Sequence, residues 1–400
     1  MKTRVFLIII VATSLVVSCT DKSDVESPEV EIVELSTSTK AIIAEKANSF
    51  GIKLFQQIIE SESSDNTFIS PLSCAMAMSM TSLGASGETY DEIVSTLGFV
   101  GMEKSELGSY FYDLSQSFAS ADQSVTFESA NSIWVNKTLK IQADFENAAA
   151  KYFDAAARNV DFSSAKTAAF INGWICDHTH GLIKDMVART DGWNVALVNA
   201  LYFNSAWKEK VTKGKISFTG SDGKTSTQDA ICAKSFRYSQ NEAMQYVSMP
   251  FGSTGRYECE ILIPVGQNSV KSMDLTKIGE CREKAVEASG NVSFIMPFIE
   301  VTHSTNLKDL LEKMGIHRAF TEEAQFEGIS KNLYISSVLQ KSHITLNDKG
   351  AEAASATIVV MDGATAEPIE RNVIKADRPF VFLIREKASG TVLFIGQKAM

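Results

Sequence analysis

Residues 347–363 read Asn-Asp-Lys-Gly-Ala-Glu-Ala-Ala-Ser-Ala-Thr-Ile-Val-Val-Met-Asp-Gly. Small residues give way to β-branched ones, and no proline interrupts the run between Gly350 and Gly363. In strand parity Ala351, Ala353, Ser355, Thr357, Val359, Met361 and Gly363 share one face. Glu352, Ala354, Ala356, Ile358, Val360 and Asp362 share the other, so both charges fall on one side. The chemistry open to such a segment is mechanical. A strand with one uncharged, initially small face can slide between other strands and gain their ladder hydrogen bonds. A plain amphipathic edge strand, or an alanine-rich helix ending near Thr357, fits the same composition.

Catalytic motifs are missing. The chain has no GxSxG elbow, phosphate-binding glycine loop, HExxH or GxGxxG after a strand, so neither an enzyme nor a cofactor is expected. His178-Thr179-His180 offers two imidazoles without a nearby third ligand, and no metal site is expected. Six cysteines include Cys19, leaving Cys74, Cys176, Cys232, Cys259 and Cys281. Five is odd and shows no CxxC spacing, which favours buried free thiols over a disulfide framework. A net charge of −10 gives nucleic acid no basic footprint.

The chain starts with an address. Lys2 and Arg4 precede a mostly apolar run over 5–17, too short to span a bilayer. Leu15-Val16-Val17-Ser18-Cys19 resembles a bacterial lipobox, which implies cleavage before Cys19 and lipid on its sulfur. The organisation expected is a signal peptide over 1–18, a lipid-anchored flexible tether over 19–40 and one domain over 41–400. The location expected is the cell envelope, at the outer membrane or cell surface.

Elements that could position the 347–363 segment follow from periodicity. Three- and four-residue spacing predicts a helix from Ile42 to Ile59, and Pro71 opens another. The chain from 41 to 190 reads as mainly helical, with a strand near 129–135 and a helix over 165–178. Strands are predicted at 195–203, 243–251, 257–263, 292–296, 333–339, 342–347, 380–385 and 391–396, with a single helix at 307–314. Helices first and strands later give an α+β class.

Several motifs then converge on one family. Asp348-Lys349-Gly350-Ala351-Glu352-Ala353-Ala354-Ser355-Ala356-Thr357 resembles the serpin hinge. Asn66-Thr67-Phe68-Ile69-Ser70-Pro71-Leu72-Ser73 resembles the second-helix motif of serpins, and Leu197-Val198-Asn199-Ala200-Leu201-Tyr202-Phe203-Asn204-Ser205-Ala206-Trp207 a strand of their central sheet. Ala376-Asp377-Arg378-Pro379-Phe380 and Leu393-Phe394-Ile395-Gly396 match their closing strands. The resemblance implies a helical N-terminal half, a large central mixed β-sheet, further sheets and an exposed reactive-centre loop. It implies a suicide inhibitor, mainly of serine proteases and sometimes of cysteine proteases, that is cleaved and then inserts its loop into that sheet. A non-inhibitory binding protein of the same fold at the bacterial surface is the alternative. The implied partner is a protease held covalently, with the chain a monomer; polymerisation stays open. Counting from Gly350 puts the reactive bond at Ala364–Thr365, with Met361 the rival, and the small Ala364 suits an elastase-like pocket. Ser70, Ser73, Asn199, Trp207 and Gln340 fall where serpins keep a sheet-opening network. Gln340 departs from the histidine frequent in the family, which puts a pH switch there in doubt.

Overall fold

The computed structural model describes residues 30–61, 66–181, 183–266, 268–351 and 372–400. Its helices are α1 (Thr37–Ser61), α2 (Pro71–Leu83), α3 (Gly87–Leu97), α4 (Lys104–Ala121), α5 (Ala143–Phe153), α6 (Thr167–Asp177), α7 (Ile278–Lys284) and α8 (Lys308–Met314). Its strands are β1 (Thr67–Ile69), β2 (Val125–Asn136), β3 (Ala155–Val160), β4 (Val195–Ala206), β5 (Val211–Thr219), β6 (Thr225–Ala233), β7 (Arg237–Gln240), β8 (Met244–Phe251) and β9 (Tyr257–Pro264). They continue with β10 (Val286–Glu287), β11 (Val292–Pro297), β12 (Ile299–Asn306), β13 (Ser337–Asn347), β14 (Gly350–Ala351), β15 (Asn372–Lys375), β16 (Phe380–Glu386) and β17 (Val392–Lys398).

Three sheets result. A six-stranded mixed sheet runs β12-β13-β14-β4-β2-β3, a seven-stranded one β1-β17-β16-β9-β8-β7-β10, and a four-stranded one β15-β11-β6-β5. Helix α2 packs against β17 of the seven-stranded sheet and against β2 and β4 of the six-stranded one. That position explains its composition. Ser70 caps it, accepting from Ser73 N (3.2 Å), and Pro71 begins it. Its buried Thr81 and Ser82 hydroxyls return to carbonyls of their own helix, Ala77 O and Ser79 O (both 2.7 Å), so burial leaves these two groups satisfied. Helix α6 lies on the other face of the six-stranded sheet, where Ile171 and Ile175 cluster with Trp134, Ala196 and Val198.

The expected α+β class and the large mixed sheet are present. The differences have physical causes. The stretch read as mainly helical also holds β2 in full and β3, whose Ala-Ala-Ala-Arg-Asn-Val sequence lacks alternation. The hairpin β5–β6 was not expected, because β5 is an edge strand with mostly solvent-facing residues. The two strands predicted at 333–339 and 342–347 are one, β13. A further helix, α7, joins the one expected near 307–314. The body also starts before the expected boundary at 41. Helix α1 begins at Thr37, and Leu35 ahead of it is buried, so this part of the 19–40 segment is packed rather than a loose tether.

Candidate functional site: a seam in the six-stranded sheet

Strands β13 and β4 run parallel and pair directly over Ser337–Gln340 and Ala196–Asn199. Above Gln340 and Asn199 they part. At the far end a third strand stands between them. Gly350 and Ala351 pair with Asn347 and Leu346 on one side, and with Ala206 and Ser205 on the other. Between these two zones, residues 341–345 and 200–204 face each other across a fork with no direct pairing among the described residues.

The two hinge residues are tightly seated. Ala351 is 1% exposed. Gly350 has φ +134°, and a Cβ there would collide with Ser205 O and crowd Ala206 Cα. Only glycine takes that conformation at that approach. Trp207 closes this end. Its indole Nε1 donates to Asn347 O (2.7 Å), and its ring stacks on Phe251 at 4.3 Å. Asp348 is half-buried in the turn between β13 and β14, where Lys349 N donates to Asn347 Oδ1 (2.8 Å).

The closed end has its own polar cluster. Gln340 grips the Ser70 backbone twice: Ser70 N donates to Gln340 Oε1 (3.1 Å), and Gln340 Nε2 donates to Ser70 O (2.9 Å). Ser70 Oγ donates to Leu393 O (2.7 Å), which ties β13 through α2's cap to β17. Across the seam, Asn199 Nδ2 donates to Asn131 Oδ1, and Asn131 Nδ2 to Phe153 O (3.1 Å). Ser73 Oγ and Asn199 Oδ1 are buried and find no hydrogen-bond partner among the described residues. An unsatisfied buried polar atom costs ~1–3 kcal/mol. Beside them, burial pushes the Cys74 thiol up to about 12, so it stays protonated and inert.

The outer face is strapped as well. Lys341 Nζ, on β13, donates to Lys184 O (2.6 Å) in the segment after α6. The His180 ring in that segment lies 4.7 Å from Tyr202 of β4. His180 and Asp185 both have left-handed φ, +51° and +52°. Among the described residues the arrangement is a fork between two strands, with Gly350 and Ala351 standing as a third strand at its open end.

The profile described as "Serpin (serine protease inhibitor)" matches residues 45–399. The chain belongs to the serpin family. Human neuroserpin is 28% identical over 391 residues, covering 92% of this chain and 94% of neuroserpin. Among solved structures, the native state of tengpin, a thermophilic serpin, superposes with a TM-score of 0.82 at 25% identity, covering 94% and 97% of the two chains. Human thyroxine-binding globulin, solved in complex with thyroxine, has a TM-score of 0.81 at 22% identity, covering 90% and 98%. That likeness shows the fold.

In this serpin the five residues expected as one sheet-opening network divide into three places. Ser70 and Gln340 bond directly. Asn199 lies on the same sheet row as Gln340 but bonds Asn131 instead. Ser73 touches the cluster through its backbone N–H, its hydroxyl staying apart. Trp207 belongs to the other end of the fork. Asn131 was missed by the sequence reading; an asparagine facing inward from a predicted strand was the available signal. Hinge residues Glu352, Ala353, Ala354, Ser355, Ala356 and Thr357 lie outside the described residues. So do Met361, Ala364, Thr365 and Cys19.

Proposed function

We propose that this serpin is an inhibitory one, which lets a protease cut its loop and then traps the acyl-enzyme by drawing the loop into the six-stranded sheet. The observation that carries the reading is β14, two hinge residues already paired on both sides at the mouth of a fork. Continuing that register, residues 352–356 would fill the fork and Thr357 would reach the row of Gln340 and Asn199. Residues beyond it would replace the direct β13–β4 pairing, down to Met361 opposite Val195. Ala353, Ser355 and Thr357 then face inward, as Ala351 does, and their small size suits a buried face. Glu352 faces outward. Insertion over this length adds about ten ladder rows, on the order of 10 kcal/mol at ~1 kcal/mol per hydrogen bond. That rivals the stability of a whole domain. The reactive bond is Ala364–Thr365, with Met361 the next candidate, and the target is an elastase-like serine protease. Cys19 carries a lipid that anchors the protein at the cell envelope.

The test mixes the soluble protein from residue 20 with an elastase-type protease. A covalent complex that survives denaturing electrophoresis, with loss of protease activity and a released peptide beginning at Thr365, is expected. Clean cleavage with an active protease would move the chain to the binding-protein reading, the role that thyroxine-binding globulin illustrates for this fold. Ala353→Arg puts an inward charge on the inserting face, and inhibitor should become substrate.

A further inference from the structure

Strand register puts Ser248 and Pro250 of β8 on one face of the seven-stranded sheet with Glu260 and Glu258 of β9. Helix α7 covers Glu260 through Arg282 and ends at Lys284. A cavity of about 180 Å³ opens over Ser248, Pro250 and Glu258, and among the described residues none of α7 or α1 lines it. Its inner end is polar and buried: Glu258 is 3% exposed and Ser248 2%. Ser248 Oγ donates to Glu258 Oε2 (2.7 Å), and Arg385 holds Oε1. A carboxylate has about four acceptor sites, so Glu258 Oε2 keeps room for one more donor. The buried Phe236 ring and Pro250 add apolar wall.

The mouth is built of charge. Arg237 donates to Ala285 O (2.6 Å) and lies 3.8 Å from Glu287, so this pair balances itself. Lys208 Nζ reaches only a carbonyl, Thr254 O (3.3 Å), and Lys387 has no acidic partner among the described residues. Against these two ammonium groups stands Glu209, which leaves the mouth one positive charge in excess. The backbone beneath both lysines is fixed: Lys208 N donates to Pro250 O and Lys387 N to Arg256 O (both 2.9 Å). The cavity therefore accepts a hydrogen bond at its inner end and attracts an anion at its mouth. Its volume equals about six waters at ~30 Å³ each, room for a molecule of about six heavy atoms.

We propose that this cavity binds a small carboxylate that carries an N–H or O–H donor at its other end, an amino acid or a hydroxy acid. The donor meets Glu258 Oε2, and the carboxylate meets Lys208 and Lys387. The site stands apart from the seam and does not depend on the loop-insertion reading.

The test is calorimetric titration of the protein from residue 20, with ligand-observed NMR as a second readout. The probes are L-serine, L-lactate, acetate, which lacks the donor, and ethanolamine, which lacks the carboxylate. Serine or lactate should bind with a Kd on the order of 1 mM. Acetate and ethanolamine should bind at least about tenfold more weakly, and the tighter of serine and lactate identifies the donor. Lys208→Ala and Lys387→Ala, both at exposed positions, should each weaken binding about tenfold, while Lys313→Ala on α8, the control, should leave it unchanged. Glu258→Gln should remove the preference over acetate; if it fails to fold, the two lysine variants still read the site. No binding of serine or lactate overturns the proposal, and so does binding unchanged in both lysine variants. Acetate bound as tightly as lactate also overturns it and leaves an adventitious ion only.

Discussion

Gln340 makes the closed end of the seam indifferent to pH. Its amide holds Ser70 N and Ser70 O at once and does not titrate. Gln340→His would change that. An imidazole that must accept from Ser70 N has to be neutral, so its folded pKa falls below the ordinary ~6.5. Its contribution to stability is complete above that value and is lost as pH falls. Relative to the parent, the variant should lose stability as pH falls from 8 toward 5, by up to ~1.4 kcal/mol for each pH unit below the ordinary imidazole value, read as a widening gap in melting temperature. Gly350→Val tests the other end. A side chain there meets Ser205 O and takes a left-handed conformation that costs on the order of 1–3 kcal/mol. The hinge should leave the sheet, seen as faster cutting near 350 by a broad-specificity protease. Asp122 is one source of acid sensitivity. Burial works to raise its pKa, but hydrogen bonds from Ser124 and Thr254 outweigh it and hold the carboxyl well below the usual range. Its contribution is present above about pH 4 and lost as pH falls. Asp122→Asn should therefore lower the melting temperature at pH 7 and narrow the difference between pH 7 and pH 3.

Among the elements, β9 shows what a sequence hides. The strand was legible, but nothing local in it showed that its two acidic residues, Glu258 and Glu260, are buried. Arg282 of α7 grips Glu260 through two bonds of 2.7 Å, Tyr246 OH donates to it (2.8 Å), and Arg385 of β16 bridges Glu258 and Glu260. Burial favours the neutral acid, yet the Arg282 charge keeps Glu260 ionised, with its pKa lowered. Arg282→Leu leaves that buried carboxylate only Arg385 and Tyr246 and should cost about 3 kcal/mol in denaturant unfolding. The partners come from distant segments, and no local pattern announces them. The same limit applies at the seam. Ser70, Asn199 and Gln340 were legible through motif likeness, and the small residues of the hinge through parity. The fork was not, because whether β13 pairs with β4 along its whole length depends on what stands between them. The edge hairpin β5–β6 and the strand β3 escaped because solvent-facing edges and short alanine runs carry little period-two signal.

At the scale of the molecule, the described residues of β13 and β4 are paired directly at one end, joined through β14 at the other, and unpaired with each other between. Cutting at Ala364–Thr365 should let the cut loop enter between them, and the nicked protein should melt tens of degrees above the intact one, as a gain of order 10 kcal/mol requires. Scanning calorimetry before and after limited proteolysis checks this; equal melting temperatures would remove the driving force from the proposed mechanism. The β14 rungs have a further meaning in time. Inhibition by trapping is a race between strand growth and hydrolysis of the acyl bond. In any zipper the slow step is the first contact, because later rungs order fewer degrees of freedom each. Gly350 and Ala351 are laid before the race begins, so the clock that cleavage starts measures only propagation.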